Sequence, residues 1–387
     1  MIYADNNATA PLDPVAWQAM QPFFLEHFMN PSSPYTPARR AAKAIEDARS
    51  KVAALMYCEP ECVAFTSGGT ESNSWAIHLA RRMFPKRRRW ICSAVEHASV
   101  LTALDALRKE GDEVLQISVD RNGVLDLEEF ERLLTPDTAL VSVMLANNET
   151  GILHPVREIA EMARKRGVLV HTDASQAVGR IPVSFRELGV DLLTSCAHKM
   201  HGPKGIGALV IREGLSVEPL MRGGDQERGR RAGTENVPAI VGFGVAAEQA
   251  MEAVARPSTD LRDLVEDTLR KHLPDAMIVG AASPRLPNTT LCLVPGINTD
   301  VLIAALDQKG ICVSSGSACA SGSSEPSHVL RSMGWEFDDQ VATLRISWGR
   351  FNNSQEAVAL ADVLCHTVDT LRRTSPRVEK FKYSYNP

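Results

Sequence analysis

From about residue 60 to residue 212, short β-rich apolar runs alternate with longer amphipathic stretches, and this alternation limits the possible folds more than any other feature of the chain. CVAFTS, RWICSAV, EVLQISV, ALVSVML, GVLVHTD, DLLTSCA and IGALVI read as strands. Between them, TESNSWAIHLARRMF, ASVLTALDALRKEG and PVREIAEMARKRG carry apolar residues at helical spacing and end in Gly or basic residues. Strands joined by crossover helices must run largely parallel and be buried on both faces, and their functional residues collect at the carboxyl ends. The expected fold is therefore α/β with a mainly parallel central sheet.

The pattern changes after NVPAIVGFGVAAEQAMEAVA. Strands NTTLCLV, ICVSS and ATLRISW then alternate with helices NTDVLIAALDQKG and SQEAVALADVLCHTVDTLRR. This divides the chain into a large domain, 16–255, and a smaller α+β domain made of 1–15 and 256–387. A chain of 387 residues, 44% hydrophobic and 23% charged, can bury a sizeable core. Its 42 basic against 47 acidic side chains give a net charge of -5, which draws it to neither nucleic acid nor anionic lipid, so a small substrate is expected. The basic run RRMFPKRRRW (81–90) reads as a solvated corner between a helix and a strand. No basic segment leads into an apolar core at the N-terminus, and no window approaches ~18 uninterrupted apolar residues. A cytoplasmic protein without membrane contact is expected. The eight cysteines are scattered, which argues against a disulfide framework. Cys58 and Cys62 lack the second pair or clustered histidines of a zinc site, and no resident metal is expected.

Three strand exits carry residues suited to one cofactor. In DLLTSCAHKMHGPKG, Lys199 follows an apolar strand; in a cleft, desolvation would make it a usable amine, although a surface lysine has the same sequence signature. In GVLVHTDASQAVG, Asp173 closes a strand and reads either as a helix cap or as the carboxylate that pyridoxal phosphate requires opposite its ring nitrogen. In FTSGGTESN, Gly68, Gly69 and Thr70 open a helix; such a start can cradle a phosphate or simply turn the chain. The Walker pattern is missing, which disfavours a nucleotide. Together the three favour pyridoxal phosphate, with His97 of AVEHASV placed at another strand exit to lie over its ring. One further stretch, SSGSACASGSSEP (314–326), has the composition of a flexible linker and carries a cysteine, Cys319, in its middle.

ADNNAT, NPSS, FTSGGTESN, EHASV, ANNETG, HTDASQAVG, AHKMHGPKG, RRAGTEN, SSGSACASGSSEPSHVLR and LRISWGR follow one another almost end to end. In this order they resemble the cysteine desulfurases, pyridoxal-phosphate enzymes of the NifS and IscS type. The resemblance implies an aminotransferase-like fold, a homodimer, and removal of sulfur from L-cysteine to leave alanine. It makes Lys199 the lysine that holds the cofactor, Asp173 the partner of the ring nitrogen, His97 the stacked imidazole, and Gln176 and Asn148 contacts to the ring's phenolic oxygen. Gly69, Thr70, Cys196, His198 and Thr234, the last from the other subunit, would hold the phosphate. Arg345 would clamp the substrate carboxylate, with Asn148 beside it. Cys319 would be the nucleophile that takes the sulfur and passes it to an acceptor protein, an iron-sulfur scaffold, where its thiolate transiently ligates the cluster. An acceptor protein cannot enter the cleft, so the thiol must travel, which suits its Gly- and Ser-rich surroundings. A base or cation should raise its thiolate fraction, and His97 is a candidate.

Three positions depart from the family pattern. Cys196 stands where a serine is usual, and a thiol is the poorer donor to a phosphate. Tyr35 and Asp225 differ at the substrate entrance. The stretch RGGDQERGRRAGTEN and the short tail look closer to the nitrogen-fixation branch. The alternatives are a desulfurase dedicated to tRNA or DNA thiolation, a selenocysteine lyase, and a non-catalytic sulfur-relay subunit; the last fits poorly with an intact lysine and aspartate.

Overall fold

The computed structural model describes residues 1–255, 258–316, 327–337 and 339–374. The seven expected strands form one sheet: β2 (Val63–Thr66), β3 (Arg89–Ser93), β4 (Glu113–Ile117), β5 (Thr138–Ser142), β6 (Leu169–Asp173), β7 (Leu192–Cys196) and β8 (Gly207–Ile211), in the spatial order β2-β8-β7-β6-β5-β3-β4. All neighbours pair parallel except those of β8, which runs antiparallel to both β2 and β7. Every strand but β8 therefore ends on the same edge of the sheet, the arrangement expected from crossover helices. β2, β5, β6, β7 and β8 are buried at every residue, as an interior sheet covered on both faces requires.

The helices cover this sheet through their apolar stripes. Gly69–Met83 buries Trp75, Ala76 and Leu79, and Val156–Arg164 buries Ile159, Ala160 and Ala163. Val237–Val254 is apolar and long enough to cross a bilayer, yet it packs inside the protein against Thr36–Leu55. The approach is close: a Cβ on Gly244 would lie 2.6 Å from the Ala48 Cα.

A second core joins the chain's beginning to its last third. β1 (Ile2–Tyr3) pairs parallel with β11 (Ile311–Cys312), and β10 (Thr289–Pro295) lies between β12 (Val341–Ser347) and β9 (Met277–Ile278) in an antiparallel sheet. Ala4, Val265, Leu269, Val294, Ile346 and Leu364 share one apolar cluster there. The Ser354–Thr374 helix contributes Leu360, Leu364 and Val368.

The basic corner is absorbed by local pairing. Arg81 and Arg88 both reach the buried Asp112, Arg89 pairs with Glu113 at 2.6 Å, and Arg87 donates to the Thr138 and Gly167 carbonyls. Cys58 and Cys62 are free thiols, and burial pushes Cys58 up to about 12.

Candidate active site

The shared carboxyl edge gathers the candidate residues. β6 ends in Asp173, and β7, its parallel neighbour, runs into a 3-10 turn, Ala197–Lys199, that carries Lys199. β2 leads into Gly68 and the helix that begins at Gly69, and β3 leads to His97. The turn at Gly68 requires glycine, because its φ is +152°. Gly207, at the start of β8, is equally constrained: a Cβ there would lie 2.8 Å from the Gly68 Cα.

Asp173 is buried, and both of its carboxylate oxygens are held. Oδ2 accepts from Asn73 Nδ2 at 2.7 Å, and Oδ1 accepts from the Ser175 backbone N–H at 2.9 Å. No helix begins within the residues that follow, so Asp173 is not a helix cap. Lys199 donates from Nζ to the Ala8 carbonyl at 2.8 Å and also to the Asn7 carbonyl. Burial, reinforced by Arg180 and Arg345 against the opposing pull of Cys196 and Asp173, lowers its pKa to about 8. The amine is thus available near neutral pH, unlike an ordinary surface lysine.

His97 is half-buried at the N-cap of Ala98–Lys109, where its Nδ1 accepts from the Ser99 backbone N–H at 3.1 Å. Burial lowers its pKa, while Asp173 pulls upward and Lys199 downward. A neutral ring whose Nδ1 accepts carries its proton on Nε2. His97 therefore presents a donor, which does not favour the expected role as base or cation for the Cys319 thiol.

Arg345 on β12 is 1% exposed. It donates to Asp5 Oδ1 at 2.8 Å and to the Asn148 carbonyl at 3.0 Å, while its Nε is buried without a partner. Asn148 itself is half-buried. Gln176 donates to the Asn7 carbonyl at 3.0 Å and accepts from Arg180. Cys196 is buried, and burial raises its thiol against the pull of Lys199. His198 contacts Thr9 Oγ1 at 3.1 Å; burial, aided by Lys199, Lys204 and Arg180, lowers it to about 4, so it is neutral. Thr234 is exposed and lines a recess with Ser67, Gly205 and Ile206, which also border the recess of Gly69 and Thr70. Tyr35 and Asp225 are exposed. Cys319 lies outside the described residues.

The site fits pyridoxal phosphate at both ends. At one end, a helix start with glycine backbone, Thr70, His198 and Lys204 lines a recess suited to a phosphate. At the other stands a fixed carboxylate, with a neutralisable amine from the next strand. Buried donors without partners, Ser175 Oγ and Arg345 Nε, are what a site built for an anionic ligand leaves behind.

Four residues that the sequence did not single out take part. Asn73 positions Asp173, Asp5 and Asn7 from the N-terminal segment hold Arg345 and Lys199, and Ser175 lies beside Cys196. ADNNAT was legible as a motif, but its contacts to residues near 199 and 345 are made only by the fold.

Residues 2–360 match the class-V aminotransferase family. The chain is similar to a cysteine desulfurase of Cereibacter sphaeroides, 46% identical over 97% of each chain. It is also similar to the cysteine desulfurase NifS of Azotobacter vinelandii, 44% identical over 97% of this chain and 94% of that protein. A solved NifS-like protein superimposes with a TM-score of 0.88 at 36% identity, covering 95% of this chain and 99% of its own.

Proposed function

From a chain that belongs to the class-V aminotransferases, and within them to the cysteine desulfurases, we propose a pyridoxal-phosphate-dependent removal of sulfur from L-cysteine for iron-sulfur cluster assembly. The observation that carries this reading is the pairing of an amine lowered to about 8, Lys199, with a carboxylate fixed by two donors, Asp173, at the ends of adjacent parallel strands. When bound, pyridoxal phosphate supplies an aldehyde that condenses with amines and a ring that accepts the electron pair released at a substrate's Cα.

The chain's own groups do the rest. Gly69, Thr70, Cys196, His198 and, from a second copy, Thr234 hold the phosphate. Asp173 would keep a proton on the ring nitrogen, and Asn148 and Gln176 would contact the ring's phenolic oxygen. Arg345 binds the substrate carboxylate, exchanging part of its contact with Asp5 for it. Lys199, far easier to deprotonate than a solvent lysine, takes the Cα proton and returns it elsewhere on the substrate. His97 Nε2–H serves as a donor over the same site. The Cys319 thiolate then attacks the substrate sulfur: the carbon–sulfur bond breaks, a sulfur–sulfur bond forms, and L-alanine leaves with the protons balanced. The persulfide passes to the thiol of an acceptor protein, an iron-sulfur scaffold in this reading.

A homodimer accords with Trp17, Phe24, Leu25 and Phe28, large apolar side chains exposed within one short segment. The domain division at residues 16 and 256 accords with the second core, which joins Ala4 to Val265 and the residues beyond.

The test is spectroscopic and chemical. A visible absorption band of the bound cofactor should change on adding L-cysteine, with L-alanine formed in step. A protein whose band ignores L-cysteine would instead be a relay subunit, and faster release of selenide than sulfide would favour a selenocysteine lyase.

A further inference from the structure

The Ser175 hydroxyl is buried, and the one group it meets for hydrogen bonding is the Cys196 thiol, a weak partner placed outside good hydrogen-bond geometry. A buried hydroxyl left unpaired is costly, so such a group is expected to have a partner that the protein alone does not provide. Its position says which. A Cβ built on Gly69 would lie 3.2 Å from Ser175 Oγ, 3.8 Å from Thr194 Cγ2 and 4.0 Å from Cys196 Cβ. The hydroxyl is therefore packed behind Gly69, the first residue of the Gly69–Met83 helix and part of the lining of the phosphate recess, close to the end of β7. Its backbone is fixed there, because the Ser175 N–H donates to Asp173 Oδ1 at 2.9 Å.

The neighbouring donors explain why a hydroxyl is needed. Cys196 presents a thiol, and burial keeps that thiol protonated, as a weak donor. His198 is neutral, and its Nδ1 is engaged with Thr9. A dianionic phosphate in this recess would otherwise depend on backbone N–H groups, Thr70, the Nε2 of His198, Thr234 from a second copy and the exposed Lys204.

We infer that Ser175 is a phosphate ligand of this chain, its hydroxyl donating to the cofactor phosphate in place of the hydroxyl that position 196 does not provide. The inference rests on the pyridoxal-phosphate reading and adds to it a residue in which the two positions compensate for each other.

The test compares the purified holoenzyme with Ser175→Ala, Cys196→Ser and the double variant. Cofactor dissociation constants are measured for pyridoxal phosphate and for pyridoxal, which lacks the phosphate, with thermal unfolding of each protein as a check of the fold. Losing one hydrogen bond to a charged group should weaken pyridoxal phosphate binding about 10- to 100-fold in Ser175→Ala and leave pyridoxal binding unchanged. Adding Cys196→Ser should restore most of the lost affinity. A Ser175→Ala protein that holds pyridoxal phosphate as tightly as the parent, or loses pyridoxal to the same extent, would overturn the inference alone. A parent that binds no pyridoxal phosphate would overturn the underlying reading and this inference with it.

Discussion

Asn73 donates from Nδ2 to Asp173 Oδ2 at 2.7 Å, and both side chains are buried. The bond ties the helix that opens the phosphate recess to the strand end that carries the carboxylate. It thereby sets the distance between the two ends of the cofactor site. Asn73→Ala should remove a hydrogen bond to a charge and lower kcat about 10- to 100-fold while the protein stays folded. Asp173→Asn should lose more, because a neutral amide cannot hold the ring nitrogen's proton. Steady-state kinetics with L-cysteine check both, and parent-like turnover in Asp173→Asn would leave Asp173 a purely structural residue.

The Lys199 amine, lowered to about 8 by burial, gives a pH dependence with a definite sign. Below that value the amine is protonated and cannot attack an aldehyde; above it the amine is free. The rate at which cofactor-free protein captures pyridoxal phosphate should rise with pH through a midpoint near 8, well below the ~10.4 of a solvent lysine. Between those values the unfolded chain holds a proton that the folded chain does not. Stability of the cofactor-free protein relative to Lys199→Met should therefore increase as pH climbs through that window. Lys199→Ala should lose all borohydride-fixable cofactor, and cofactor fixed on another lysine would contradict the assignment.

Arg345 reaches Asp5 and the Asn148 carbonyl with its two terminal nitrogens and leaves Nε buried and unpartnered. A planar guanidinium can present a paired donor edge to a carboxylate, which an ammonium cannot. Arg345→Lys should raise KM for L-cysteine about 10- to 100-fold with a smaller effect on kcat. The comparison with cysteamine, which lacks the carboxylate, is sharper: the preference for L-cysteine should collapse in the variant.

Arg49 and Glu227 form a buried two-pronged pair, at 2.7 and 2.9 Å, and Glu227 also accepts from the Phe65 N–H at 2.9 Å. Glu227 lies in RGGDQERG at a φ of +50° and fastens that segment, which leads to Thr234, against β2. Removing one partner leaves the other charge buried, so Glu227→Ala should cost about 3–5 kcal/mol in denaturant unfolding. A variant as stable as the parent would mean that the segment is held elsewhere.

The order of strands and helices could be read from the sequence because periodicity and strand-end chemistry are local. The GGT turn, Asp173 and Lys199 each follow an apolar run, and the crossover rule places those runs' ends on one edge. The reversed strand β8 had no such signal, since direction depends on how the chain returns after Lys199. Asn73, Asp5 and Asn7 were not legible as site residues because their partners lie about 100 to 340 positions away. Ser175 stood inside a quoted motif, but nothing in a serine's neighbours along the chain shows that its hydroxyl is buried without a partner. The expected base role of His97 depended on its tautomer, which a backbone N–H two residues on decides.

The central claim is that Cys319 takes sulfur from L-cysteine bound at this site. The most direct measurement treats the purified holoenzyme with L-cysteine in the absence of an acceptor, then quenches by alkylation and maps the cysteines by mass spectrometry while counting L-alanine. The account predicts one added sulfur atom on Cys319 for each L-alanine formed in the first turnover. In Cys319→Ser the cofactor band should still respond to L-cysteine, with no sulfur left on the protein. Sulfur found on another cysteine, or a first turnover of L-alanine undiminished in Cys319→Ser, would contradict it.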